Sequence, residues 1–146
     1  MTIEVHYEFE APELPPEEAR RVLAAAFAHA GREPEGVELV FVDDARLAAL
    51  HAEYLDDPTP TDVMAFDLTD EFGGPQAEVY VSVERARAVA AARGLPVRRE
   101  LALYVAHGAL HLCGHDDHAE PARALMRSAE REVLRGLGYP DESASE

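Results

Sequence analysis

The chain has 146 residues, of which 47% are hydrophobic, and a formal net charge of −16, which fits one compact acidic domain. A charge of this size repels polyanions at long range, so it argues against nonspecific binding to nucleic acid or anionic membranes. The single cysteine, Cys113, excludes an internal disulfide and a zinc site built from several thiolates. Because we find no apolar run long enough for a membrane span and no secretory signal, we expect a cytoplasmic protein.

The first half of the chain is predicted to alternate strands and helices. Apolar and polar residues alternate over Thr2–Glu10, which is the pattern of a half-buried strand. Two prolines then introduce a helix over Glu17–Ala30, and the apolar, β-branched run Val37–Val42 predicts a second strand. Asp43 is placed to cap a further helix that continues through Tyr54.

The second half is predicted to contain two strands followed by three helices. Asp62–Leu68 and Ala77–Ser82 have strand-like composition and flank an exposed turn, so we expect them to pair as a hairpin. The three helices are predicted over Val83–Arg93, Val97–Cys113 and about Pro121–Leu137.

This order of elements, β-α-β-α-β-β-α-α-α, predicts an α+β fold in a single domain over residues 1–140. A small mixed β-sheet of about four strands would pack with about five helices. Residues 141–146 are small and acidic, and they are predicted to form a disordered tail. The architecture is common and assigns no function by itself.

Four of the seven histidines fall within the twelve residues of the run HGALHLCGHDDH, from His107 to His118. His107 and His111 are four positions apart in a predicted helix, so their imidazoles lie one turn apart on the same face and within reach of one metal ion. Gly114 is expected to end the helix in a left-handed conformation and to turn the chain back toward that ion. A lone histidine would be better explained as a core residue, but this combination favours a zincin-like metal helix.

The third metal ligand is expected to be Asp117 or His118. In the metzincin pattern, His-Glu-x-x-His-x-x-Gly-x-x-His, the third ligand follows the glycine by three residues, and Asp117 occupies that position here. A carboxylate is an acceptable zinc ligand where one coordination position stays open, whereas His118 requires one more residue in the turn. We favour Asp117 and keep His118 as the alternative. The imidazole-rich set favours zinc as the metal.

The residue after the first histidine argues against a peptidase. Zinc peptidases carry there the glutamate that activates water, and this chain has Gly108. A proton shuttle must therefore come from another residue, for which we select Asp116 and regard Asp62 and Glu100 as further candidates.

The run from His107 to His118 resembles the signature of the YbeY family, His-Gly-x-Leu-His-Leu-x-Gly with a third ligand six residues after the second histidine. Three other segments look like family segments in the expected order: Val42-Asp43-Asp44, Pro60-Thr61-Asp62-Val63 with Phe66, and Gly136-Leu137-Gly138-Tyr139. The resemblance implies a single-strand-specific endoribonuclease with one zinc ion per chain. It further implies a role in maturation of the 3′ end of 16S rRNA and in ribosome quality control, with the ribosome or ribosomal proteins as partners.

Two positions depart from the family pattern. Many members have histidine where this chain has Asp117, and they often have arginine after the tyrosine that matches Tyr54, where this chain has Leu55. We expect Arg98 and Arg99 to supply the positive charge that the RNA substrate needs. The alternative hypothesis is a non-catalytic ribosome assembly factor in which zinc mainly stabilises the fold.

Overall fold

The computed structural model describes residues 3–55, 63–67, 77–115 and 119–139. Within these ranges the chain forms nine elements in the predicted order: β1 (Ile3–Tyr7), α1 (Pro16–His29), β2 (Val37–Val42), α2 (Asp44–Leu55), β3 (Val63–Asp67), β4 (Ala77–Ser82), α3 (Val83–Arg93), α4 (Val97–Leu112) and α5 (Ala122–Gly136). No helix in these ranges is both long and apolar enough to cross a membrane. The predicted acidic tail lies outside the described residues.

The four strands form one mixed sheet in the order β1-β2-β4-β3. The strands β1, β2 and β4 are parallel, whereas β3 runs antiparallel to β4, so the predicted hairpin-like pair is confirmed. The described residues therefore confirm the predicted α+β fold of four strands and five helices.

The first strand is shorter than its sequence pattern suggests. The alternation of apolar and polar residues continues to Glu10, but β1 ends at Tyr7. The N–H groups of Glu8 and Phe9 both donate to the same acceptor, the carbonyl of Phe41, at 2.9 and 3.0 Å. Because two consecutive residues share one partner, the regular parallel ladder cannot continue past this point.

Helices cover both faces of the sheet, and β2 shows this most clearly. Leu39 and Phe41 point into the larger core, which α1, α3, α4 and α5 cover, and Val40 and Val42 point into a smaller core under α2. A strand that is buried on both faces loses the alternation of apolar and polar residues, which explains the uninterrupted apolar run of residues 39–42.

The helix α4 lies at the centre of the larger core, and ten of its sixteen residues are buried. It approaches the sheet closely at Gly108. A Cβ atom at this position would lie 2.6 Å from Cγ1 of Val79 in β4 and 3.2 Å from Cγ2 of Val63 in β3. The absence of a side chain at Gly108 thus allows α4, which carries both helical histidines, to pack directly against the antiparallel strand pair.

Candidate metal centre

Both histidines of the predicted pair lie in α4. His107 is partly buried, with 28% of its side chain exposed, and His111 is exposed on the following turn. The predicted helical spacing is therefore confirmed, because α4 extends past both residues to Leu112. Two imidazoles one turn apart, with the outer one in contact with solvent, can bind one ion without deforming the core.

The end of α4 carries a glycine in the left-handed conformation, as predicted. Gly114 has a φ of 102°, in the left-handed region that favours glycine. The Gly114 N–H donates to the His111 carbonyl and the His115 N–H donates to the Leu110 carbonyl, each at 3.1 Å. These two bonds form a Schellman motif, which satisfies the last carbonyls of the helix and sets the direction in which the chain leaves it.

The predicted third ligands and the predicted proton shuttle follow this turn. Asp116, Asp117 and His118 lie outside the described residues, so the choice between Asp117 and His118 stays a prediction. In the ranges that the structure describes, no group of three or more potential ligands is assembled. His107 and His111 are thus the two described members of the candidate set.

A carboxylate from α5 contacts the first histidine. Glu130 Oε2 lies 2.6 Å from His107 Nδ1, and only 11% of the Glu130 side chain is exposed. With Nδ1 engaged in this way, Nε2 is the nitrogen of the ring that is suited to bind a metal. Metal-binding histidines almost always place the second ring nitrogen against such a hydrogen-bond partner, so the surroundings of His107 fit a zinc ligand.

Glu130 was not identified from the sequence, although a signal was present. The buried positions of α5 are Met126, Ala129, Glu130, Val133 and Leu134, which is the spacing of one helical face. A charged residue in the middle of an otherwise apolar face is unusual, because a buried carboxylate needs a polar partner. A charged residue at a position where the helical pattern predicts an apolar one indicates that Glu130 has a specific polar partner.

Cys113 follows the second histidine by two residues and packs instead of facing solvent. It is partly buried against the larger core, as the sequence predicted. Burial raises the pKa of the Cys113 thiol above its ordinary value, although the nearby Arg32 partly opposes this effect. Cys113 lies about half a turn around the helix from the face that carries His107 and His111, so packing and not metal binding accounts for it.

The two arginines predicted to bind substrate have different environments. Arg99 is buried, with 4% of its side chain exposed, and its Nη1 donates to Glu100 Oε1 at 3.0 Å. Arg98 is 54% exposed, pairs with Glu18, and places its guanidinium 4.7 Å from the centre of the Tyr139 ring. The guanidinium of Arg99 is not exposed to solvent, so Arg99 is poorly placed to bind RNA. The predicted contact between Arg98 and RNA stays a prediction.

Glu100 is poorly placed as the proton shuttle. Its carboxylate is buried, and Oε2 has no hydrogen-bond partner among the described residues. Glu100 precedes His107 by two helical turns, which corresponds to roughly 10 Å along the axis. This separation exceeds hydrogen-bond reach. Asp62, the other alternative to Asp116, lies outside the described residues.

Comparisons with known proteins give one consistent family. The sequence profile of the family described as Endoribonuclease YbeY matches residues 7–138. A protein of that name from Flavobacterium psychrophilum is 39% identical over 101 residues, which cover 68% of this chain and 70% of the relative. Another, from Ruegeria pomeroyi, is 29% identical over an alignment of 160 positions that covers 97% of each chain.

One solved structure has a similar fold. The solution structure of TM1509 from Thermotoga maritima superimposes with a TM-score of 0.61, and the match covers 93% of this chain and 91% of that one. The two sequences are 22% identical, so the likeness supports the arrangement of strands and helices alone.

Proposed function

The chain belongs to the endoribonuclease YbeY family and is accordingly an RNA-cleaving hydrolase, and from this premise we propose that it is a zinc-dependent endoribonuclease specific for single-stranded RNA. We further propose that it acts in the cytoplasm on small-subunit ribosomal RNA, in maturation of the 3′ end of 16S rRNA and in ribosome quality control. The observation that carries the zinc proposal is the pair His107 and His111 on α4, with the His107 Nδ1 engaged by Glu130.

One zinc ion per chain would be held by His107, His111 and a third residue after the turn, Asp117 or His118. The chemistry that zinc supplies in such sites is Lewis acidity toward water or a phosphate oxygen. The chain itself supplies the orientation of the helical ligands: α4 fixes the two imidazoles relative to each other, and the Schellman motif at Gly114 ends the helix shortly before the predicted third ligand.

The proton transfers need a group other than the glutamate of zinc peptidases. Position 108 faces Val79 and Val63 in the sheet, so a glutamate there would have no room and could not point toward solvent. We propose that the carboxylate of Asp116 accepts the proton of the attacking water, because it follows the turn that ends α4. The packing of Gly108 also counts against a peptidase of the zincin type.

The acidic charge of the chain restricts how RNA reaches the site. At −16, the chain as a whole repels a polyanion. We propose that Arg98 and basic ribosomal proteins provide local attraction, which would make association strongly dependent on salt concentration. The ribosome is therefore a fitting partner, because it supplies both the substrate and the compensating charge.

Cleavage of a labelled single-stranded oligoribonucleotide by the zinc-loaded chain tests the proposal. We expect the single strand to be cut and the same sequence in a duplex to remain intact. His111→Ala should lower the rate about 100-fold or more, because a catalytic metal contributes several kcal/mol to transition-state stabilisation. His6→Ala is the matched control, because His6 lies on β1 and is 49% exposed. Equal cleavage by wild type and His111→Ala would contradict the proposal.

A second candidate function is a non-catalytic assembly factor whose zinc holds the last helices together. Leu55, where the family often has arginine, favours it, whereas Gly108 belongs to the family signature and does not separate the two functions. In that case the His111→Ala chain would still associate with small ribosomal subunits, and wild type would leave RNA uncut. Chelation would nevertheless lower the melting temperature.

A further inference from the structure

We propose that Glu130 is a positioning residue for His107: its carboxylate fixes the imidazole so that Nε2 binds the metal, and it strengthens the binding of zinc. The inference rests on the proposed function, because it takes His107 as a zinc ligand. It assigns a role to a residue of α5, a helix that contributes no ligand to the candidate set.

The geometry of the contact selects one form of the ring. An ionised carboxylate can only accept hydrogen bonds, so the 2.6 Å approach of Glu130 Oε2 to His107 Nδ1 requires the proton of the imidazole to reside on Nδ1. The lone pair of the neutral ring then lies on Nε2, which is the form that binds a metal. A carboxylate at Nδ1 also increases the basicity of the ring and hence its strength as a ligand.

The burial of Glu130 indicates that its contact with His107 does more than hold α5 against α4. Glu130 is 11% exposed and lies between Met126 and Val133 on the apolar face of α5. Removing a carboxylate from water is energetically costly, and a contact with one histidine offsets that cost only in part. An ion pair that only joins two helices does not require a buried carboxylate, because an exposed pair can join them without this loss of hydration.

The same helix provides such an exposed pair for comparison. Glu132 Oε2 lies 2.7 Å from His29 Nε2 and joins α5 to α1, with 60% of the glutamate side chain and 31% of the histidine side chain exposed. The two pairs share their chemistry and nearly share their distance. They differ in burial and in whether the histidine belongs to the candidate metal site, so Glu132 is a matched control for Glu130.

The test is the zinc affinity of the full-length chain, measured by competition with a chromophoric chelator. Glu130→Gln, which keeps the shape but not the charge, should weaken zinc binding about 10-fold, and Glu130→Ala should weaken it by up to about 100-fold. Glu132→Gln should bind zinc like wild type. If Glu130→Ala fails to fold, Glu130→Gln decides alone, with its melting temperature in the metal-free state as the check on folding.

A spectroscopic measurement separates positioning from tethering. With Co²⁺ in place of zinc, the visible absorption bands report the geometry of the ligands. We expect the bands to shift in Glu130→Gln and to remain unchanged in Glu132→Gln. A tether without a positioning role would alter the stability of the metal-free chain but leave these bands where they are.

The outcomes distinguish this inference from the proposed function. Zinc binding as tight in Glu130→Gln as in wild type would overturn the inference alone, as would equal weakening in Glu130→Gln and Glu132→Gln. A wild-type chain that takes up no zinc would overturn both. The predicted order of affinities supports the positioning role whether or not the loaded chain cuts RNA.

Discussion

The close approach of α4 to the sheet gives a quantitative prediction for Gly108→Ala. The new methyl group would lie 2.6 Å from Cγ1 of Val79 and 3.2 Å from Cγ2 of Val63, closer than packed carbon atoms allow. Val79 is fully buried in β4, between β2 and β3, so it cannot rotate away without disturbing the core. The helix must therefore shift away from the sheet.

Two opposing terms set the magnitude. Alanine favours the helix interior over glycine by about 1 kcal/mol, whereas inserting a methyl group into a packed core costs about 1–3 kcal/mol. Because the overlap with Val79 is severe, we place the packing term in the upper part of its range, at about 2–3 kcal/mol, and expect a net loss of about 1–2 kcal/mol in the free energy of unfolding. For a domain of this size, that corresponds to a melting temperature lower by roughly 3–6 °C.

Chemical and thermal denaturation of matched variants measure this loss. Gly136→Ala is the control: Gly136 ends α5 and a methyl group added there would meet no neighbouring atom within 4 Å, so the stability of this variant should be equal to or slightly above that of wild type. Combining Gly108→Ala with Val79→Ala should cost less than the sum of the single changes, by more than about 0.5 kcal/mol. A Gly108→Ala chain as stable as wild type would refute the reasoning.

Three further predictions concern stability. Arg87 makes a bidentate contact to Glu13 that lowers the pKa of this carboxyl below its ordinary 4.5. The ion pair therefore stabilises the folded chain above pH 4.5, and this stabilisation is lost as the pH falls through the lowered pKa. The difference in denaturation midpoint between wild type and Glu13→Gln should accordingly shrink in acid. Tyr139→Phe removes the hydroxyl that donates to Glu18 and should cost about 1–2 kcal/mol in urea unfolding, with no change in zinc content. Removing zinc with a chelator should lower the melting temperature, by the equivalent of about 2.7 kcal/mol if free zinc had been about 100 times its dissociation constant.

The order of elements and the helical histidine pair could be predicted because their signals are local. Strand alternation, β-branched runs and terminal glycines determined the nine elements, and the i, i+4 spacing of His107 and His111 needed only a helix to place them on one face. The left-handed Gly114 was predictable for the same reason, since a helix end imposes that conformation on one residue.

Contacts between distant segments were not predictable in this way. Glu130 reaches His107 across 23 positions, and only the packing of α5 on α4 brings them together. The burial of Arg99 depends on which side of α4 faces the core, and two consecutive arginines in the sequence do not indicate that side. The same applies to Gly108, because only the packed structure shows that Val79 lies where a side chain at position 108 would be.

The zinc content of the purified chain tests the central claim most directly. Native mass spectrometry should find one zinc ion per chain in wild type and in the surface control His6→Ala, and none retained in His107→Ala or His111→Ala. A folded wild-type chain that carries no zinc and takes up none when it is offered would contradict the account, as would full zinc occupancy in both histidine variants.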